Sequence, residues 1–150
     1  MRLLLGRDGE VTLSARPLTP IPVPVPVVPW PAPFAADDPR VAHKTSDRRP
    51  LEAALAAAGA RHGAREVLFY DPADGQLREG AWTTLFLEKG GKLLTPPLSA
   101  GILPGILRAE LIRNGDAKVA RLYIDDLRRA DSLWIGNSLR GLMRARLCDG

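Results

Sequence analysis

Eight prolines fall between Pro17 and Pro33, largely alternating with valine in the segment IPVPVPVVPWP. A proline has no backbone N–H to give to a sheet ladder, so this segment is expected not to form a central strand. It reads instead as a polyproline-like connector or an edge strand. Its valines favour packing against the chain's own surface. Display to a proline-recognition module ranks last among the functional readings.

The rest of the chain divides around that segment. Residues 2–5 read as a short buried strand joined through Asp8-Gly9 to a second at 11–14, and two such strands cannot make a domain alone. After a polar loop at 35–40, Pro50 suits the first turn of a helix, with Ser46 or Asp47 as its cap. Leu51 to Ala60 is alanine-rich and helical, stopping at Gly59 or Gly63. The apolar strand Glu66–Tyr70 opens an expected antiparallel meander that continues through 76–79, 82–88 and 92–95. Asp74-Gly75 and Gly90-Gly91 supply its turns. Pro104 opens a further helix that closes at Asn114-Gly115. Strands at 119–124 and 132–135 follow, with a helical turn at 125–130, and 139–147 is a final strand or a tail. The fold class is α+β, a mostly antiparallel sheet with packed helices.

Composition narrows the function. With 150 residues, 45% of them hydrophobic and 25% charged, the chain can build a real core. The net charge of +4 comes from scattered arginines with few aromatic residues between them. That pattern argues against a nucleic-acid groove and suits anionic small molecules. No apolar run approaches a membrane span, and the three N-terminal leucines are too few for a signal-peptide core. One cysteine, Cys148, gives no internal disulfide and fits a reducing compartment, so a cytoplasmic location is expected. His43 and His62 lack metal-ligand spacing, and no metal is expected.

Four places could carry chemistry. Lys44 follows the apolar Val41-Ala42 just ahead of a helix, where its amine is either a nucleophile or base in a cavity, or a surface charge. Glu79, before Gly80, is either a carboxylate facing a protonated ring nitrogen or a hairpin-end charge. Gly105-Ile106-Leu107 sits at a helix N-terminus, whose unpaired amides favour phosphate. Gly136-Asn137-Ser138 is a small-residue turn able to offer an anion nest.

The order HKTSDR (43–48), REGAWTTLFLEKGGKLLTPPLSAGILPGILR (78–108) and ADSLWIGNSLRGL (130–142) resembles the class IV aminotransferase family, the fold type IV pyridoxal-phosphate enzymes. The resemblance implies the large domain of the D-amino-acid aminotransferase-like fold and pyridoxal 5'-phosphate as cofactor. Lys44 would bond the cofactor aldehyde and then shuttle the proton at the substrate α carbon. Glu79 would pair with the pyridinium nitrogen. The amides of Ile106 and Leu107 would hold the phosphate, joined by Asn137 and Ser138, and Arg48 completes the cofactor-binding set. Thr84, Leu107 and Asp47 stand where relatives often have asparagine, threonine and asparagine.

Within the family, the Lys44-x-x-x-Arg48 pattern and GNSLRGL are more similar to 4-amino-4-deoxychorismate lyases, which release pyruvate and 4-aminobenzoate for folate synthesis. Branched-chain or D-amino-acid transamination is the alternative, and a fold kept for interaction without chemistry is the reading from another class. By the same resemblance residues 1–20 would be the remnant of a small domain and its linker, and residues 21–150 the cofactor-binding large domain. The expected partners are a small-molecule substrate (aminodeoxychorismate or an amino acid) and a second copy in a homodimer, with no nucleic acid and no membrane. Val23, Val25, Val27, Val28 and Trp30 are expected on exposed surface.

Overall fold

The computed structural model describes residues 2–148. Strands β1 (Arg2–Leu5) and β2 (Val11–Ser14) pair antiparallel as a separate two-stranded sheet. An eight-stranded sheet follows, built from β3 (Val25–Pro31), β4 (Glu66–Tyr70), β5 (Leu77–Gly80), β6 (Thr84–Lys89), β7 (Lys92–Thr95), β8 (Ala117–Val119), β9 (Ser132–Asn137) and β10 (Gly141–Leu147). Its spatial order is β5-β4-β3-β10-β9-β6-β7-β8. Four of its pairings are antiparallel, and three, β3 with β4, β3 with β10 and β7 with β8, are parallel. The helices are α1 (Pro39–Ala42), α2 (Arg49–His62), α3 (Ile106–Arg113) and α4 (Asp126–Arg129).

The proline-rich segment overturns its expectation. β3 is a central strand, flanked by β4 and β10. Successive residues of a strand address opposite neighbours, and the hydrogen bonds show which. Arg65 N–H donates to the Pro26 carbonyl at 2.8 Å and Ala32 N–H to that of Tyr70 at 2.9 Å, so even-numbered residues face β4. Cys148 N–H donates to Val27 at 2.8 Å, so odd-numbered residues face β10. Pro29 and Pro31 face the β10 side, but pairing with β10 covers only Val25 to Val27. Pro26 faces the β4 side one residue before that register begins at Val27–Glu66. Each proline of the strand falls where no ladder donor is required. Val25 and Val27 are fully buried in the core and Val28 and Trp30 half-buried, whereas Val23 is exposed as expected, so the β3 part of the segment is not free as a proline-module ligand. Exposed apolar side chains also lie on the β1–β2 hairpin, at Leu3, Leu4, Leu5, Val11 and Leu13. The strand at 2–5 is thus not buried as expected, because it pairs only with β2 in a separate two-stranded sheet.

The expected meander over 66–95 also differs. β5 pairs with β4, yet β6 pairs with β9 and β7, so the chain crosses the molecule between Gly80 and Thr84. The sheet curls until its edges meet. Leu77 N–H donates to Leu122 at 2.7 Å and Ala120 N–H to Thr95 at 3.0 Å, so the segment after β8 joins both sides. This is why 119–124 does not continue as one strand. Val25, Val27, Leu68, Leu77, Leu85, Leu87, Leu133 and Ile135 fill the interior of the curl. On the outer face of β4, Ala54 and Ala58 of α2 pack on Val67, Phe69 and Ala81. Small side chains let that helix approach the sheet closely.

Helix α2 ends at Gly63 in the left-handed conformation (φ 64°), as the sequence suggests, but its start is different. The N-cap is Arg48 and no side chain caps it, because Asp47 turns back to pair with Arg49 at 2.8 Å. The polar loop at 35–40 contains the start of α1, where the Asp38 carboxylate accepts from Arg40 N–H at 2.9 Å.

Candidate active site

A cleft of about 440 Å³ opens where the 80–83 crossover, the α1–α2 loop, the N-terminus of α3 and the end of β9 converge. Lys44, Arg48, Glu79, Ile106, Leu107, Asn137 and Ser138 all line it. Residues spread over most of the chain thus reach one cavity.

Lys44 sits in the loop between α1 and α2, lines the cleft and is exposed. Glu79 is half-buried on β5, and its Oε1 accepts from Leu103 N–H at 2.9 Å. Its Oε2 has no hydrogen-bond partner among the described residues. Burial pushes the Glu79 carboxyl up to about 7, the Leu103 bond opposes this, and Glu66 adds to the rise while the charges of Lys44 and Arg48 reduce it. Glu79 thus lies within electrostatic reach of both cations.

Helix α3 begins at Gly105 with no side-chain cap, so the first-turn amides of Ile106 and Leu107 have no side-chain acceptor. Two close approaches place that helix end. A Cβ on Gly136 would lie 2.7 Å from Leu107 Cδ2 and 2.6 Å from the Gly141 carbonyl, and one on Gly105 would lie 3.3 Å from Thr84 Oγ1. Glycine at 136 therefore lets the α3 N-terminus press against the β9–β10 turn that carries Ser138. The Ser138 hydroxyl has no partner among the described residues.

Two of the predicted residues are engaged with the protein itself. Arg48 donates to the Ala81 carbonyl. Asn137 donates through Nδ2 to the Trp82 carbonyl at 3.1 Å, while its Oδ1 accepts from Leu139 and Arg140 N–H, both at 3.0 Å. Both side chains hold the crossover rather than project freely into the cavity.

Sequence reasoning missed three contributors. Glu66, in a strand read as wholly apolar, is fully buried beneath the crossover, and its single charge in EVLFY was the available signal. Arg78 is buried beside the cleft, donating to the Phe34 carbonyl at 2.7 Å and pairing with Asp71. Arg108, buried on α3, donates to the Pro96 carbonyl at 2.8 Å and ties the helix to the end of β7.

The profile of the amino-transferase class IV family matches residues 2–148. The chain belongs to that family. Among curated relatives, a probable branched-chain-amino-acid aminotransferase of Thermotoga maritima is 32% identical over 78 residues, 49% of this chain and 29% of its own. The aminodeoxychorismate lyase of Bacillus subtilis is 35% identical over 71 residues, 44% of this chain and 24% of its own. The chain therefore matches under a third of the length of these curated relatives. Among solved structures, a Mesorhizobium loti protein described as an amino-acid aminotransferase superposes with a TM-score of 0.82 at 38% identity, covering 97% of this chain and 70% of that one. A Legionella pneumophila protein described as a 4-amino-4-deoxychorismate lyase gives 0.78 at 26%, covering 93% and 53%. A hypothetical aminotransferase of Mycobacterium tuberculosis, solved in a PLP-bound form, gives 0.72 at 28%, covering 84% and 48%. The class IV fold, a curled mixed sheet with few helices, is the one described above. No helix among the described residues is long and apolar enough to cross a membrane.

The two raised carboxyls give this class IV cleft a pH signature. Glu66 is also pushed up to about 7, by burial first, against the bonds it accepts from Thr83, Val67, Trp82 and Ala81. A carboxyl whose folded value exceeds its unfolded 4.5 favours the fold fully below that value and loses the benefit as pH rises through about 7. For Glu66 alone the difference is worth roughly 3 kcal/mol. Asp38, Asp47 and Asp71 are shifted downward, so the stability they contribute is lost only as pH falls below the usual carboxylate range; between pH 5 and 8 it is constant and does not cancel this trend. The cofactor-free chain is expected to melt several degrees higher at pH 5 than at pH 8. A flat melting profile across that range by circular dichroism would contradict the buried pair.

Proposed function

We propose that this cleft holds pyridoxal 5'-phosphate and serves a lyase acting on 4-amino-4-deoxychorismate, releasing pyruvate and 4-aminobenzoate. The observation that carries the cofactor reading is one cavity presenting a lysine amine, a carboxylate with an unpartnered oxygen, and an uncapped helix N-terminus. Those three groups fit an aldehyde, a protonated ring nitrogen and a phosphate. The fit also extends to size, since about 440 Å³ is in the range of small-molecule sites.

When bound, the cofactor supplies an electron sink for charge developing at the substrate α carbon. Lys44 would anchor it through its amine and carry the proton to and from that carbon. Glu79 would hold the proton on the ring nitrogen, using the oxygen that Leu103 does not engage. Ile106 and Leu107 N–H groups, with Ser138, would hold the phosphate. Arg48 and Asn137 would act mainly by fixing the crossover that carries Glu79's neighbours. The similarity of the Lys44-x-x-x-Arg48 pattern and the GNSLRGL turn to those of 4-amino-4-deoxychorismate lyases supports the lyase reading. Transamination of branched-chain or other amino acids is the second reading, favoured by the names of several relatives.

We read residues 21–150 as the cofactor-binding part of such an enzyme and residues 1–20 as the end of a preceding small domain with its linker. A homodimer and a cytoplasmic setting belong to the same proposal. The test is to titrate pyridoxal phosphate into the chain by absorbance, then assay cleavage of aminodeoxychorismate beside amino-group transfer from branched-chain amino acids. Saturable cofactor binding with pyruvate release is expected. Transfer without pyruvate release would replace the lyase reading with the transaminase one, and no saturable binding would remove both.

A further inference from the structure

Glu66 lies at the root of the cleft without lining it. The side chain is fully buried and accepts four hydrogen bonds. Oε1 takes Val67 N–H at 2.9 Å and Ala81 N–H at 2.8 Å, and Oε2 takes Trp82 N–H at 3.1 Å and the Thr83 hydroxyl at 2.8 Å. Three of these donors are consecutive residues of the crossover. With the N–H groups of Ala81 and Trp82 drawn inward, their carbonyls are the acceptors that Arg48 and Asn137 find. The crossover also begins at Gly80, directly after Glu79. A Cβ on Gly80 would lie 2.7 Å from both Cδ and Oε2 of Glu66, so glycine is what allows the carboxylate so close.

We propose that Glu66 is a positioning residue of the cofactor cleft, fixing the 80–83 crossover and thereby the placement of Glu79, Arg48 and Asn137. The inference rests on the pyridoxal-phosphate reading of the cleft. A purely structural role would need only a buried anchor. This anchor instead collects the Ala81 and Trp82 N–H groups and the Thr83 hydroxyl of a segment whose carbonyls meet two cleft residues. It also lies near enough for its charge to help raise the Glu79 carboxyl. The other charged groups facing Glu79 are Lys44 and Arg48 from the α1–α2 loop and Arg108 from α3.

Glu66→Gln separates these roles, because the amide keeps the shape and an acceptor oxygen but loses the charge and presents donors to Trp82 N–H and Thr83. Two quantities are read. In the cofactor-free chain, the Glu79 carboxyl is titrated by carbon-13 NMR, and its midpoint is expected to fall by about one pH unit when the neighbouring charge is removed. In the same variant the Kd for pyridoxal phosphate is expected to rise on the order of tenfold or more. An unchanged Kd in a folded Glu66→Gln protein overturns the proposal, whatever the NMR midpoint does. If Glu66→Gln does not fold, Thr83→Val replaces it, removing one of the four bonds. A roughly two- to tenfold rise in Kd is then expected, and no rise overturns the proposal. Should the unaltered chain fail to bind pyridoxal phosphate, the function reading falls first. The Glu79 midpoint then judges Glu66 alone, a fall supporting the coupling and an unchanged value overturning it.

Discussion

Borohydride reduction of the chain after loading with pyridoxal phosphate is expected to leave a stable pyridoxyl adduct on Lys44, and Lys44→Ala is expected to abolish it. The chain has four lysines, at 44, 89, 92 and 118. Only Lys44 lines the cleft; Lys89 and Lys92 flank the β6–β7 turn and Lys118 lies in β8. The same substitution should cost little stability, within about half a kcal/mol, because Lys44 is exposed and makes no hydrogen bond among the described residues. Activity should drop by several orders of magnitude, since a residue that both anchors and transfers a proton has no nearby substitute. Peptide mapping of the reduced protein gives the decision. An adduct on Lys89 or Lys92 would move the chemistry out of the cleft and remove the proposed site altogether.

How much of this was legible beforehand varies with the kind of signal. The glycine and proline punctuation located α2, α3 and most strands within a few residues, because caps and turns are local properties. The ordering of the strands was not legible. Nothing in WTTLFLEK distinguishes a partner in β5 from one in β9, and no local pattern announces that Glu66 of β4 takes the donors of residues 81–83 just ahead of β6. The proline-rich strand failed for a similar reason. Proline's missing donor was read correctly as chemistry, but whether a donor is needed at each position depends on where β4 begins and β10 ends. The seven residues expected at the site were singled out by local chemistry and by stretches that resemble the family, and the fold brings all seven to one cleft. Glu66 and Gly136 act through what they bring together, so they leave only faint marks in one sequence. A lone charge among apolar residues in EVLFY was such a mark.

Glu79→Gln is expected to reduce turnover on the order of 10²–10³-fold while leaving the melting temperature unchanged or higher. The choice of glutamine matters. Alanine would strip Leu103 N–H of its acceptor at 2.9 Å, and an orphaned amide costs about 1–3 kcal/mol, which would blur a catalytic effect with a folding one. Glutamine can keep that bond through its amide oxygen. What it loses is the negative charge, and with it the means to hold a proton on a ring nitrogen. For stability the loss works the other way. Ionised Glu79 is disfavoured by burial and by Glu66, so near pH 8 a neutral amide relieves a destabilising charge. The unfolding measurement and the rate measurement should therefore move in opposite directions at that pH. Near pH 5, where Glu79 is already largely protonated, the melting temperatures of the two proteins should converge. A Glu79→Gln protein with full activity would show that the carboxylate serves only to tether Leu103, and the case for a ring-nitrogen partner at this position would fail.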